Sequence, residues 1–122
     1  MSRIPVAVLT ALLLGCTNSP PSTPVVLGPD SASRGDTVWF RIHSVDPEES
    51  QICYMMDWGD TTAQVWSYFF WSGDTVERSH VYPEAGRFLV RCRARDIDGR
   101  NSDWSETHPI QILPSQPVGI RN

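Results

Sequence analysis

The chain has 122 residues, with ten basic against fourteen acidic side chains and a formal charge of −4. That length suits one domain and argues against a two-domain enzyme, and the acidic balance argues against a nucleic-acid binder, which would show a basic patch. With 40% apolar and 10% aromatic residues it is too rich for a disordered chain. All ten basic residues are arginine, and all twelve aromatics lie between Trp39 and Trp104. The aromatic core therefore belongs to the middle of the chain.

At the N-terminus Arg3 precedes a nearly unbroken apolar run, Ile4 to Leu14. A helix needs about 20 residues to cross a bilayer, so residues 1–15 read as a signal peptide with a short apolar centre. The run ends in Leu13-Leu14-Gly15-Cys16, which resembles a bacterial lipobox. The resemblance implies cleavage before Cys16 and acylation of its thiol and new amino group. Several acyl chains hold a protein on a membrane where one would be marginal. The alternative, an ordinary signal peptide, would want a small residue where Leu13 stands. Thr17, in place of Asp after the cysteine, implies outward sorting in a cell with an outer membrane. The expected location is the bacterial cell envelope, and the first expected partner is the membrane itself.

Residues 16–24 follow as a lipidated cysteine and a Ser/Thr/Pro tether; Thr17 to Pro24 holds three prolines and no aliphatic or aromatic residue. The next runs alternate with period 2, which predicts strands. Val25–Leu27 stops at Gly28-Pro29. Thr37–Ser44 puts Val38, Phe40 and Ile42 on one face and Trp39, Arg41 and His43 on the other. Gln51–Trp58 puts Ile52, Tyr54, Met56 and Trp58 on one face. Val65–Trp71 is aromatic but irregular. Thr75–Tyr82 follows, then Arg87–Arg95 with Phe88, Val90, Cys92 and Ala94 inward and Arg87, Arg91, Arg93 and Arg95 outward. Ser102–Leu113 is the predicted last strand, and residues 114–122 are a short tail. About seven short strands between turn signals predict an all-β sandwich over residues 25–113.

Specific motifs sharpen this. Asp57-Trp58-Gly59-Asp60, His80-x-Tyr82, Gly86-x-Phe88-x-Val90 and Asp96-x-x-Gly99 resemble the PKD (polycystic kidney disease) domain. Asp46-Pro47 and Ser102-Asp103-Trp104-Ser105 resemble the variant found in microbial surface proteins. The resemblance covers about Pro24 to Leu113 and implies an immunoglobulin-like sandwich; the fibronectin type III domain is the near alternative. Thr61 stands where the family has glycine, and Phe88 where it has tyrosine. The motif residues read as structural: Gly59 permits an unusual backbone angle, Asp57 and Asp60 accept turn N–H bonds, and Tyr82 serves as a corner anchor. His80 matches the family's structural histidine.

Candidate chemistry is sparse. Cys53 and Cys92 form an even pair in an exported protein, which suggests a disulfide. Alternation puts them on opposite faces, which opposes one. Asp96 and Asp98 fail the EF-hand spacing, because Ala94 falls on the first ligand position. His43, His80 and His108 lack metal-ligand spacing. No nucleophile elbow, phosphate loop or hydrolase carboxylate pair occurs. Neither catalytic residues, nor a metal, nor a cofactor is expected.

Exposed aromatics and the arginine row remain. Trp39, Trp66 and Trp71, with Arg91 and Arg93, are the candidate binding residues for a protein or glycan partner. Two structural readings compete with them. In the first, the aromatic segment folds over the sandwich edge and covers it; in the second, the arginines hold Trp39 or Trp104 by cation–π stacking. The sequence thus predicts a non-catalytic, lipid-anchored surface module for adhesion, scaffolding or protein contact. A carbohydrate-binding module is the second reading. An accessory subunit of an envelope complex, with Ile110–Asn122 as a docking tail, is the third.

Overall fold

Six of the seven strands form where the period-2 runs stand, because such a run turns one row to the core and the other to solvent. A computed structural model describes residues 18–115. The strands are β1 (Val25–Leu27), β2 (Ser31–Ser33), β3 (Thr37–His43), β4 (Ile52–Asp57), β5 (Thr75–Val81), β6 (Gly86–Asp96) and β7 (His108–Leu113). Two sheets result, one of order β1-β3-β5 and one of order β2-β7-β6-β4. All neighbours are antiparallel except β2 and β7.

The inner faces meet in one core of Val38, Phe40, Ile42, Ile52, Tyr54, Met56, Trp58, Val76, Tyr82, Val90, Cys92, Ala94, Ile110 and Ile112. Burying an aliphatic or aromatic side chain of this kind contributes about 1.5–3 kcal/mol. The alternation read from the sequence for β3 and β6 is the alternation of burial, and in β4 it holds except at Cys53, which is buried although it lies on the outer face.

Several expectations are corrected. Ser31–Ser33 is a strand that the sequence hid: it is short and polar, and only its parallel pairing with Gln111–Leu113 defines it. Ser102–Thr107 is not strand. Here serine hydroxyls stand in as the ladder's acceptors: Ser102 Oγ accepts the Ala94 N–H at 2.9 Å and Ser105 Oγ the Cys92 N–H at 3.0 Å, while the Ser102 and Ser105 N–H groups donate to the Ala94 and Cys92 carbonyls at 2.8 Å. Ile110 and Ile112 are buried in β7, so a docking tail cannot begin at Ile110. Nor is the expected tether a free spacer. Asn18 Nδ2 donates to Asp96 Oδ2, and the Ser19 N–H to Glu48 Oε1. Ser22 Oγ accepts the Val45 N–H at 2.9 Å, and Pro21 and Pro24 are buried. The signal peptide, the lipobox with Cys16, and most of the C-terminal tail lie outside the described residues.

Strand directions sort the loops between two ends. One end gathers Asn18–Pro21, the Asp46–Ser50 turn, the Phe70–Asp74 turn and the Asp96–Asn101 loop. The other gathers the turn after Asp57, the Tyr82–Gly86 turn and the end of β7. The two chain termini of the described domain therefore leave from opposite ends.

Candidate functional site

Two surfaces hold the candidate residues. The first is the outer face of β4 and β6. Alternation brings Arg91, Arg93 and Arg95 to one side of β6, and two separate segments lay indoles between them. Trp104 is delivered by the serine-clasped loop Ser102–Ser105, which hydrogen-bonds β6 beyond the reach of β7. Trp66 is delivered by the aromatic segment, whose backbone runs antiparallel to β4 through bridges at Met55↔Trp66 and Ile52↔Phe70.

The result is an alternating stack. The Arg91 guanidinium lies 4.2 Å from the Trp104 ring centre, and that of Arg93 lies 4.9 Å from Trp104 and 5.5 Å from Trp66. Arg95 closes it at 4.4 Å from Trp66. Positive charge over an indole face is attracted by the ring quadrupole. Arg93 Nε is buried without a hydrogen-bond partner among the described residues, which fits a guanidinium held between two rings. Arg91 Nε also donates to Asp57 Oδ2 at 2.9 Å, tying the stack to the Asp57–Asp60 turn. The row contains three arginines rather than four: Arg87 is exposed and takes no part. Trp39 is not in the stack either, because β3 belongs to the other sheet.

This geometry changes what Trp66 can do. A sugar stacks on a free aromatic face, and the Trp66 ring, only partly exposed, already carries the guanidinium groups of Arg93 and Arg95 within 5.5 Å of its centre. The segment also blunts an edge. The Ile52 N–H donates to the Phe70 carbonyl at 2.8 Å, the Phe70 N–H to the Ile52 carbonyl at 2.7 Å, and the Ser67 N–H to the Tyr54 carbonyl at 2.8 Å. The free edge of β4 is thus occupied, as the edge-covering reading requires. Yet the same segment leaves Tyr68 at 86% and Trp71 at 64% exposure. Sequence alternation could not separate these side chains, because the segment makes isolated bridges instead of a strand.

The second surface is the outer face of β1, β3 and β5. Leu27, Trp39 and Val81 stand on it, with Trp39 55% exposed. Arg41 and Glu77 sit opposite one another in the ladder, 3.8 Å apart at the charged atoms.

The motif residues are engaged in packing. Gly59 has φ 84° and the left-handed angle falls there, not on Thr61. Asp57 Oδ1 accepts the Gly59 N–H at 3.0 Å. His80 is stacked on Trp58 with centroids 4.6 Å apart, and its Nε2–H donates to Asp60 Oδ2 at 2.8 Å. Burial alone would raise the Asp60 carboxyl, but the hydrogen bonds from His80 and Thr62 hold it below its ordinary value. Asp96 Oδ1 accepts the Asp98 and Arg100 N–H groups at 3.0 and 2.8 Å, which closes the loop around Gly99. Gly86 opens β6 with φ 148°.

Cys53 and Cys92 are both free and buried, so the disulfide considered from their even count is absent. The physical reason is register: Cys92 faces Met56 across the ladder and points into the core, while Cys53 faces Arg95 on the outer side. Burial pushes the Cys92 thiol up to about 12 and raises that of Cys53. Among the described residues no three His, Cys, Asp or Glu side chains are arranged to hold a metal.

No family model matches the sequence, and no curated protein matches it. Among solved structures the chain is similar to the PKD domain of an M14-like peptidase from Thermoplasmatales archaeon SCGC AB-540-F20. The identity is 32%, the TM-score 0.74, and the match covers 81% of this chain and 100% of that one. It is also similar to the PKD domain of the human VPS10 domain-containing receptor SorCS2, at 18% identity and TM-score 0.56, over 84% of this chain and 81% of that one. At that lower identity the likeness shows the fold alone.

Proposed function

The chain belongs to the PKD-domain family, and from that premise we propose that it is a non-catalytic protein, lipid-anchored in the cell envelope, whose domain makes contact with another protein in an adhesive or scaffolding role. The observation that carries this is the outer face of β1, β3 and β5, where Leu27, Trp39 and Val81 are left uncovered on a domain that uses its other motif side chains internally. Aromatic residues at the centre of such a face are the usual anchors of protein contact. The anchor is supported by the lipobox-like Leu13-Leu14-Gly15-Cys16.

A photo-crosslinker at Ser79, the cross-strand neighbour of Trp39, tests the contact in the protein's own membrane. A discrete adduct is expected, lost on Trp39→Ala and absent with the crosslinker at Gln111 on the opposite sheet. An adduct indifferent to Trp39 overturns the reading. Cys16→Ser tests the anchor: lipid labelling should vanish and the protein should leave the membrane.

A carbohydrate-binding role draws support from exposed Trp71 and Tyr68, while Trp66 is already engaged by Arg93 and Arg95. Binding on a glycan array that is lost in Trp71→Ala would favour it over protein contact.

A further inference from the structure

We propose that the aromatic segment Tyr68–Trp71 rests in the headgroup layer of the membrane to which the chain is anchored, so that the domain is docked on the bilayer instead of swinging from it. This rests on the lipid-anchor reading above and adds to it an orientation.

Three observations meet at one end of the sandwich. First, the chain arrives there already fixed. Asn18 is bonded to Asp96 and Ser19 to Glu48, only two and three residues after Cys16. Two residues of extended chain reach at most about 7 Å. An acylated Cys16 therefore holds this end of the domain at the headgroup level, which is itself only about 5–7 Å deep on each side of the hydrocarbon.

Second, the aromatic segment descends toward this same end. It runs from Trp66 beside Met55 to Phe70 beside Ile52, and Ile52 is the register partner of Asp96. Its turn is then bonded beside the arriving chain: Ser72 Oγ accepts the Asp46 N–H at 2.8 Å, and the Gly73 N–H donates to the Ser44 carbonyl at 3.0 Å.

Third, the segment has the chemistry of an interfacial surface. Between Asp60 and Asp74 there is no charged residue. Tyr68, Phe69 and Trp71 are exposed. Tyr and Trp combine an apolar ring with a polar handle and concentrate where bilayer meets water. Backbone bonds to β4 already hold the segment, so little freedom is lost on insertion. Exposed Glu48, Glu49, Asp74 and Asp98 outnumber exposed Arg100 at this end, so the surface it fits is zwitterionic lipid rather than anionic lipid.

The test uses the full lipidated protein on phosphatidylcholine vesicles containing brominated phosphatidylcholine, which quenches nearby tryptophan. Mass spectrometry reads the lipid on Cys16 in the same preparation. The expected result is quenching whose larger share is lost in Trp71→Phe and kept in Trp39→Phe. Trp39 stands four residues back from the β3 terminus, about 13 Å from this end. Trp71 is largely exposed, so its replacement leaves the core intact, and an unchanged unfolding midpoint verifies that. Lipid on Cys16 with quenching indifferent to Trp71 overturns the docking alone and returns the segment to a protein or glycan partner. Absence of lipid on Cys16 overturns the anchor and the docking with it.

Discussion

The Tyr82 hydroxyl donates to the backbone carbonyl of Trp58 at 2.7 Å, inside the core and across 24 residues of sequence. It joins the turn after β4 to the turn after β5, and so locks one end of the sandwich. Tyr82→Phe keeps the ring but leaves that buried carbonyl without its donor. The expected cost is about 1–3 kcal/mol, read as a lower midpoint in denaturant unfolding; an unchanged midpoint would mean that the bond is replaced.

Gly59 is the position where a side chain has no room. A Cβ there would approach the Leu89 backbone to 2.7 Å, at a φ of +84° that other residues rarely adopt. Gly59→Ala is expected to destabilise by roughly 2–4 kcal/mol, combining strain with steric displacement of backbone. Gly99→Ala shares the positive φ but meets nothing, so it should cost visibly less in the same assay.

Acid should weaken the His80–Asp60 contact. The Asp60 carboxyl is held below its ordinary 3.8, so folding favours its ionised form. The stabilisation is therefore complete above the unfolded value and is lost as pH falls through the lower folded value. Asp60→Asn should lower stability at pH 7 and flatten the fall below about pH 4. Parallel acid limbs in wild type and variant would exclude a role for this carboxylate.

The thiols give a direct count. Cys53 and Cys92 are free and buried, so both should resist a disulfide reagent in the native protein and react in denaturant without prior reduction. A missing pair would reveal a disulfide. A third reactive thiol would come from an unmodified Cys16.

The arginine–tryptophan stack should show direct coupling. A double-mutant cycle with Arg93→Met and Trp104→Leu is expected to return about 0.5–1 kcal/mol of interaction. Zero coupling would reduce the stack to side-by-side packing.

Period-2 alternation made most of the fold legible, because each face of a strand meets one environment and hydrophobic order along the chain records it. The Asp-Trp-Gly-Asp turn and its companion motifs made the family legible, since those residues sit where a backbone angle or a buried hydrogen bond admits few others. What failed was of another kind. Ser31–Ser33 has no apolar pattern and exists only through its partner β7. Asn18 and Ser19 look like tether until Asp96 and Glu48, distant in sequence, receive them. Trp66 and Trp104 are separated by 38 positions, and only folding interleaves them with three arginines. Thus the sequence by itself determined which residues face inward and which turns hold them, because those choices are local. The tertiary structure alone decided which exposed aromatics are occupied by arginine and which, at the end where the chain arrives, are left for a surface, because that depends on contacts between segments no local pattern connects.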